Sequence, residues 1–423
     1  MSGTAKPPLP LSSRVLGALL ASSFIVALGY GIVLPVLPTM VERLAGSADP
    51  TFAARHIGFL TAAYVAAPLA VAFLWGRVSD LIGRRPVLVV GLIGFAVTLA
   101  ASALAPNLLL LYVGRILNGG FAAAVVPTAL AFIADTEGDD DRRARTFGWV
   151  SMASIAGFLL GPMLGGLAAG WAFDSGKAVP LLQAAPFLLA SGLALAAAGG
   201  VRLILPGGRV TGQPVDTKNR KTSTFVPGEI RLLALASVAA AGLGAFEVGL
   251  TLRNDELAMS PAELGFTFAT CSVVMFVVQG LVFSPLVKPA ATKVLVAPAF
   301  LVMAIGLAVI PSITAFSEML FAVSVVAASA GVISPLLAFW VSRITARSQG
   351  VELGIQAAAV SLGLSVGSAG AGLLFGFNGL QGAGFLTAAL VMALAATASL
   401  KLPRLIAPVT ADPRTVPAGR IPE

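Results

Sequence analysis

Long apolar runs alternate with short polar connections along almost the whole chain. A helix needs about 20 apolar residues to cross the hydrocarbon core of a bilayer. Twelve runs of about this length are present, centred near residues 26, 66, 96, 120, 158, 192, 241, 274, 303, 328, 362 and 390. Because the runs are continuous instead of alternating, they favour helices over a transmembrane β-barrel. The pattern predicts an all-α membrane protein with twelve transmembrane helices, which we number as spans one to twelve.

Composition supports the same fold class and excludes several functions. Apolar residues make up 57% and charged residues 11% of the 423 residues, whereas soluble proteins carry about 25% charge. The mean hydropathy is +0.94. With one cysteine, Cys271, and one histidine, His56, the chain offers few ligands for zinc, haem or an iron-sulfur cluster. We expect no metal, no cofactor and no enzymatic activity.

The basic residues predict how the chain sits in the membrane. If both termini are cytoplasmic, four of the 27 Lys and Arg residues lie outside, namely Arg43, Arg55, Lys177 and Arg253. Arg115 falls within a span, and the others lie on the cytoplasmic side, as the positive-inside rule requires. The net charge of +8 therefore reflects topology, and we expect no nucleic-acid partner.

The chain divides into two related halves. Residues 1–206 are expected to form one six-helix bundle, 207–229 a polar cytoplasmic linker, and 230–423 the second bundle and a tail. Five residues around span five recur around span eleven at a constant offset: Arg145, Gly148, Gly161, Gly165 and Gly170 match Arg347, Gly350, Gly363, Gly367 and Gly372. Duplicated six-helix halves are typical of transporters, which bind substrate between the halves near mid-membrane.

A glycine-rich and arginine-rich loop follows span two. Residues 76–86 read Gly-Arg-Val-Ser-Asp-Leu-Ile-Gly-Arg-Arg-Pro, which resembles the signature loop of the major facilitator superfamily. The glycines favour a tight turn, the aspartate can cap a helix N-terminus, and the arginines can pair with acids at neighbouring helix ends. The expected gating latch comprises Gly76, Asp80, Gly83, Arg84 and Arg85, with Asp135 and Glu137 from the end of span four as pairing acids. The equivalent loop of the second half, residues 284–288, lacks these residues.

Spans one and five strengthen the resemblance. Span one ends in a glycine-rich segment followed by Pro35 and Pro38, which resembles the first helix of drug:proton antiporters. Span five is similar to the motif that marks the antiporter branch of the superfamily. Its glycines recur every fourth residue and form a flat stripe, while a proline bends the helix. These residues are Gly157, Gly161, Pro162 and Gly165. Such a stripe either seals the two halves together in one access state or serves only helix packing.

Arg115 is one of two ionisable residues predicted inside the membrane, where such groups are costly. The segment from Arg115 to Ala122 resembles the fourth-helix motif of the family, in which an arginine is tied to proton movement. An arginine stays charged at any working pH, so it cannot carry the proton itself. It either biases a nearby acid, binds a substrate group, or bonds to helix-end carbonyls.

Glu247 is the second intramembrane ionisable residue and our predicted proton-coupling site, together with Arg115. It lies about 15 residues into span seven, roughly 22 Å from the cytoplasmic edge. A carboxyl group in apolar surroundings is costly to ionise, which suits a reversible proton carrier. The segment from Leu243 to Leu250 also resembles the seventh helix of vesicular amine transporters. Alternatively, Glu247 reaches the outer surface near Arg253.

Polar and aromatic residues on the apolar spans are the candidates for substrate binding, because aromatic rings offer stacking surface to flat or cationic molecules. They are Tyr30, Tyr64, Asn118, Phe246, Phe266, Gln279, Trp340 and Gln356.

The resemblance implies a major facilitator fold of two pseudo-symmetric six-helix bundles. It also implies a secondary active transporter that exports small amphipathic or drug-like molecules in exchange for protons, by alternating access. We expect a monomer in the lipid bilayer of a bacterial inner membrane, with both termini cytoplasmic. Two alternatives on the same scaffold remain: a flippase for lipids or lipid-linked glycans, which membrane-side openings between helices would favour, and a proton-coupled symporter.

Overall fold

The computed structural model describes residues 11–46, 49–137, 140–174, 180–207, 227–253, 257, 259–282, 292–344, 349–375, 382–400 and 402. Within these residues the chain is built from α-helices joined by short connections. The helices are α1 (Ser13–Val33), α2 (Leu37–Ala45), α3 (Pro50–Ile82), α4 (Arg84–Ala103), α5 (Leu108–Thr136), α6 (Asp140–Asp174), α7 (Pro180–Ile204), α8 (Pro227–Arg253), α9 (Pro261–Val282), α10 (Thr292–Val309), α11 (Phe316–Ile344), α12 (Gln349–Phe375) and α13 (Ala383–Ser399).

The helices confirm the twelve predicted spans. Eleven segments of the described chain are long and apolar enough to cross a bilayer. The twelfth, α13, is apolar and 17 residues long. The short helix α2 is an addition, which follows α1 after a single 3-10 turn at Leu34–Val36. The protein is therefore a multi-pass α-helical membrane protein.

The turn between α3 and α4 is much tighter than the sequence indicated. Only Gly83 separates the two helices, with φ at 98°, a conformation that glycine adopts without steric cost. The expected loop from Gly76 is wrong, because α3 continues unbroken to Ile82. Gly76 therefore lies within a helix and has open space around it. Asp80 lies in the last turn of α3 instead of capping a helix N-terminus.

The helices pack as two bundles. Helices α1 and α3–α7 form the N-bundle, and α8–α13 form the C-bundle. The bundles meet mainly through two helix pairs, α3 with α12 and α6 with α9. Residues 208–226 of the predicted linker lie outside the described residues, so the predicted boundaries at 207–229 stay a prediction.

The glycine stripe of α6 packs within the N-bundle. Cβ atoms built on Gly157 and Gly165 would meet the carbonyls of Phe24 and Ile32, and one on Gly161 would lie 2.6 Å from the carbonyl oxygen of Leu28. All three partners belong to α1 of the same bundle. Contrary to one expectation, the stripe therefore does not form the contact between the halves here. It holds α1 and α6 together backbone to backbone.

The C-bundle repeats this packing. Gly363 and Gly367 of α12 face the backbone of Ser237 and Ala241 of α8 in the same way. The sequence repeat thus encodes equivalent helix contacts in the two bundles.

The bundles touch through glycines at one end. We call the end where α7 finishes and α8 begins the linker end. Far from it, a Cβ on Gly58 of α3 would lie 2.8 Å from the Cα of Gly372 of α12. A Cβ on Gly265 of α9 would lie 2.6 Å from the carbonyl oxygen of Pro162 of α6. The interface is therefore tightly closed at the end opposite the linker.

The same four helices lack such glycine contacts toward the linker end. Cβ atoms built there on each of these helices would meet nothing within 4 Å, namely at Gly76 of α3, Gly148 of α6, Gly280 of α9 and Gly354 of α12. Close packing between the bundles is thus concentrated at the end opposite the linker.

The contact of Gly157 with α1 yields a prediction about stability. A methyl group at this position must push against backbone, so we expect Gly157→Ala to lower the free energy of unfolding by about 1–3 kcal/mol. Thermal unfolding in detergent would show this as a lower midpoint. Gly148→Ala is the matched control, because Gly148 of the same helix has open space around it and alanine favours helix by about 1 kcal/mol. Equal midpoints for the two variants would contradict the packing argument.

Candidate functional site

A hydrogen bond between the bundles lies at the centre of the site. The hydroxyl of Tyr30 on α1 donates to Oε2 of Glu247 on α8 at 2.8 Å. The Glu247 residue is only 4% exposed. The structure thus excludes the alternative that Glu247 reaches the outer surface near Arg253, whose Nη2 donates instead to the carbonyl of Ile313 at 2.7 Å. The carboxyl group is buried and held by a residue of the opposite bundle.

Stacked aromatic rings fix the position of the Tyr30 hydroxyl. The ring of Tyr30 stacks on that of Tyr64, with centroids 4.9 Å apart and planes 20° apart. It also stacks on Phe158, at 5.7 Å and 21°. Both neighbours belong to the N-bundle, on α3 and α6. Because offset-stacked rings resist tilting, the hydroxyl of Tyr30 moves with the N-bundle.

Arg115 lies behind this stack and is 1% exposed. Its Cζ lies 4.4 Å from the ring centroid of Tyr64 and 6.0 Å from that of Tyr30. Its Nε donates to the carbonyl of Leu60 at 3.4 Å, in the middle of α3 and not at a helix end. Neither Nη atom has a hydrogen-bond partner among the described residues. A cation–π contact offsets only part of the cost of burying this charge.

The site therefore orders a cation, two phenol rings and a carboxyl group across the bundle interface. In spatial order, these groups belong to Arg115, Tyr64, Tyr30 and Glu247. When the carboxyl group is ionised, the hydrogen bond from the Tyr30 hydroxyl is charge-assisted and stabilises it. The carboxyl group can therefore bind or release one proton, and its charge sets the strength of the hydrogen bond between the bundles.

A cavity of about 300 Å³ adjoins Glu247. It lies between the bundles, with lining residues from α1 and α6 on one side and from α8 and α9 on the other. The lining is apolar and aromatic except for the carboxyl group, two hydroxyls and one thiol. It consists of Ala27, Ser154, Ile155, Phe158, Leu243, Phe246, Glu247, Phe268, Cys271, Ser272 and Met275. Its volume reaches the lower end of the range for small-molecule pockets.

The predicted substrate residues occupy different places. Phe246 lines the cavity, and Tyr30 and Tyr64 form the stack beside it. Asn118 is used inside the N-bundle, where its Nδ2 donates to the carbonyl of Phe95 and to Thr98 on α4. Phe266 is 54% exposed. Outside the cavity lining lie Asn118, Phe266, Gln279, Trp340 and Gln356.

The sequence did not indicate several of the residues that line the cavity. Phe268, Cys271 and Met275 lie on one face of α9, at spacings of three and four residues. Cys271 is buried. The i, i+3, i+7 spacing was visible in the sequence, but it is equally typical of core packing. Nothing in the sequence of span eight distinguishes a cavity wall from a packed face.

A second, broader depression lies between α3 and α12. This groove has a volume of about 610 Å³ and opens widely to the surroundings. Its lining is almost wholly apolar and comprises Phe59, Ala62, Ala63, Ala66, Tyr112, Ser365, Val366 and Ala369. The hydroxyl of Tyr112 lies 2.9 Å from Nδ1 of His56 on the neighbouring helix. The groove is thus an open, apolar depression between the two bundles.

The latch residues form a polar cluster at the linker end of the N-bundle. Nε of Arg84 donates to Oδ2 of Asp135 at 2.9 Å, and its Nη1 contacts Ser79 and Asp80 at 2.5 Å. The guanidinium of Arg85 donates to the carbonyl of Arg202 at the end of α7. The cluster therefore ties α3, α4, α5 and α7 of one bundle together.

Two latch expectations differ from the structure or fall outside it. Glu137 pairs with neither Arg84 nor Arg85 in the described part of the chain. The equivalent loop of the second half, residues 284–288, lies outside the described residues.

Comparison with known proteins identifies the family. The model of the Major Facilitator Superfamily matches residues 19–316. The chain is 27% identical over 372 residues to Multidrug resistance protein 2 of Bacillus subtilis, a match that covers 85% of this chain and 88% of that protein. It is 30% identical over 358 residues to the class D Tetracycline resistance protein of Salmonella ordonez, covering 83% and 86%.

The fold agrees with this assignment. The structure resembles that of a bacterial homologue of the human lysosomal transporter Spinster, with a TM-score of 0.68 and 16% identity over 95% of this chain and 97% of the other. At this identity the likeness concerns the fold alone. With its two bundles, its Arg84 cluster and the family match over most of its length, this chain belongs to the Major Facilitator Superfamily of membrane transporters.

Proposed function

We propose that this chain is a proton-coupled exporter of small amphipathic or drug-like molecules. The observation that carries the proposal is the position of Glu247, a buried carboxyl group that lines the cavity between the bundles. The similarity to multidrug and tetracycline resistance proteins supports a drug-like substrate. The cavity adds aromatic faces beside one acid, a surface complementary to flat molecules that carry positive charge.

Alternating access follows from the difference between the two ends of the bundle interface. With both termini cytoplasmic, the linker end faces the cytoplasm and the glycine contacts lie toward the outside. The structure then corresponds to an inward-facing state of a bacterial inner-membrane protein. Rocking of the bundles about the cavity would break the contact of Gly58 with Gly372 and expose the site to the outside.

Coupling arises because substrate and proton require opposite charge states of one carboxyl group. From the outside, a proton neutralises Glu247 and permits return to the inward-facing state. In the cytoplasm, the proton leaves and a cationic substrate takes the ionised carboxylate. Arg115 keeps its positive charge throughout, so it favours the ionised state electrostatically without carrying the proton. One proton thus moves inward for each substrate that moves outward.

The groove between α3 and α12 favours a second candidate, a lipid or lipid-linked glycan flippase. An apolar depression of about 610 Å³ that opens widely to the surroundings would accommodate an acyl chain. The two candidates differ in which surface the substrate covers: the cavity for an exporter of drugs, and the groove as well for a flippase.

Replacing the acid tests the proton role. In proteoliposomes with an imposed pH gradient, we expect Glu247→Gln to abolish pH-driven transport of ethidium, because the amide cannot exchange a proton. Arg115→Ala should lower the rate at least about tenfold, since it removes the charge that stabilises the ionised carboxylate. The matched control is Glu318→Gln, the same change at an exposed carboxyl group at the start of α11. Unchanged pH-driven flux in Glu247→Gln would refute the proposal.

The only cysteine of the chain reports on cavity occupancy. Because Cys271 lines the cavity, we expect ethidium to slow its alkylation by N-ethylmaleimide several-fold, as followed by mass spectrometry. In a Cys271→Ser background, Ser365→Cys puts a thiol in the groove, where ethidium should not protect it. Protection of that groove thiol by a lysophospholipid, with Cys271 left unprotected by ethidium, would favour the flippase.

The Arg84 cluster provides a test of the latch. Lysine keeps the charge but cannot contact Ser79, Asp80 and Asp135 together, so we expect Arg84→Lys to reduce stability by about 1–2 kcal/mol. The midpoint of thermal unfolding and the rate of ethidium transport should both be lower than in the parent. Arg77→Lys is the matched control, since the Arg77 guanidinium lies over the exposed ring of Phe73, 4.1 Å from its centroid. Identical behaviour of the two variants would exclude a latch at Arg84.

A further inference from the structure

We propose that the Tyr30 hydroxyl is a charge-sensitive contact between the bundles, which positions Glu247 and favours the inward-facing state more strongly when that carboxyl group is ionised. Protonation, or a substrate cation that binds the carboxylate, weakens the contact. The proposal rests on the proposed proton role of Glu247. It assigns to Tyr30 a positioning role in coupling, in place of the substrate-binding role that the sequence alone indicated.

The contact is a directed bond, unlike the backbone packing between the bundles at the end opposite the linker. At the end opposite the linker, the bundles meet through glycine backbone, as at Gly58 and Gly372. At the site, they meet through the 2.8 Å hydrogen bond from Tyr30 to Glu247. A hydrogen bond of this length loses most of its strength within a displacement of about 1 Å. The bond is therefore sensitive to the relative position of the bundles.

Both ends of the bond are anchored, each in its own bundle. The ring of Tyr30 is held between Tyr64 and Phe158 of the N-bundle. Glu247 is buried on α8, next to Phe246 and Val248, which are also buried. Neither side chain can follow the other when the bundles rock. Movement of the bundles must then break the bond instead of stretching the side chains.

The strength of the bond depends on the charge of Glu247. A hydrogen bond to an ionised acceptor is roughly twice as strong as one to a neutral group. The bond thus stabilises the inward-facing state more when the carboxyl group is ionised than when it is protonated. A ligand shifts a conformational equilibrium only by its differential interaction with the two states. The Tyr30 hydroxyl supplies such a difference for the proton and for a cationic substrate.

Few other groups contribute to the pH dependence. Among the described residues, the charged or titratable groups facing the pair are Tyr64 on α3, Arg115 on α5 and Cys271 on α9. The described parts of α4, α6, α7, α11, α12 and α13, which also pack on α1 or α8, present no charged side chain there. Arg115 remains charged throughout. The charge that changes is that of Glu247.

Removing only the hydroxyl tests the inference. Tyr30→Phe keeps the ring stack and deletes the donor to the ionised carboxylate. We expect the pH midpoint of tetraphenylphosphonium binding in detergent to move up by about one pH unit, since a donor to a charged group is lost. Ser22→Ala is the control: it deletes another buried hydroxyl of α1, which donates to the carbonyl of Ala18 in the same helix at 2.7 Å, and its midpoint should equal that of the parent. An unshifted midpoint in Tyr30→Phe would overturn the inference.

A double-mutant cycle separates coupling from a general loss of packing. In Glu247→Gln, the charge of the acceptor no longer changes, so adding Tyr30→Phe should have no further effect on tetraphenylphosphonium binding. Glu247→Asp provides a second route, because the shorter side chain withdraws the carboxylate from Tyr30 and should shift the midpoint upward as Tyr30→Phe does. Additive effects in the cycle would indicate that the tyrosine acts only through packing.

The bundle arrangement can be measured directly. In a Cys271→Ser background, spin labels at Leu74→Cys on α3 and Val277→Cys on α9 lie on opposite bundles and on exposed positions near the linker end. At high pH, we expect Tyr30→Phe and Glu247→Gln to change the distance distribution in the same direction, away from the inward-facing state. A parent-like distribution in Tyr30→Phe would overturn the inference.

The two proposals fail differently. If Glu247→Gln leaves pH-driven transport intact, the proposed function fails together with the inference. If Glu247→Gln abolishes coupling while Tyr30→Phe keeps the parent midpoint and distances, only the role of Tyr30 fails.

Discussion

The structure depends on compensating two charges inside an apolar interface. Arg115 and Glu247 lie in different bundles, and Tyr64 and Tyr30 lie between them. Direct ion pairing would lock the bundles together and make separation costly. Two phenol rings instead provide a cation–π contact on one side and one hydrogen bond on the other, interactions that are individually modest. The charges are thus stabilised enough to be buried, yet the interface can still open.

The glycine contacts explain how such an interface opens without disturbing the bundles. Within each bundle, stripes such as Gly157, Gly161 and Gly165 bring helix backbones into close contact along several turns. These contacts make α1 and α6 move as one body. Between the bundles, similar contacts occur at the end opposite the linker. Small residues lose little side-chain entropy when packed, so the bundle interface can separate and re-form at low cost.

The sequence predicted the helices of this structure better than the contacts between them. Apolar run length identified all twelve spans, and the cost of burying charge singled out Arg115 and Glu247. The contact of Tyr30 with Glu247 joins residues 217 positions apart, which periodicity within a span cannot reveal. Rotation of a helix about its own axis decides which neighbour the glycine stripe contacts. The same rotation decides that the side chain of Asn118 contacts α4. Gly76 matched a motif, but nothing ended the helix before Gly83.

The internal repeat separates residues that build the bundles from residues that make the site. Gly161 and Gly165 have counterparts in Gly363 and Gly367, and both pairs pack on the equivalent helix of their own bundle. The site residues have none. In the register that aligns Leu28 with Ser237, Tyr30 corresponds to Ala239 and Glu247 to Pro38.

The same asymmetry holds for the buried cation. In the register that aligns Phe132 with Phe339, Arg115 corresponds to Ala322. The N-bundle therefore supplies the cation and the stacked tyrosines, and the C-bundle supplies the acid. If each bundle carried both an acid and a cation, these opposite charges would attract each other within each bundle as well as between the bundles. With one acid facing one donor, the charge state of a single carboxyl group can bias the position of one bundle relative to the other.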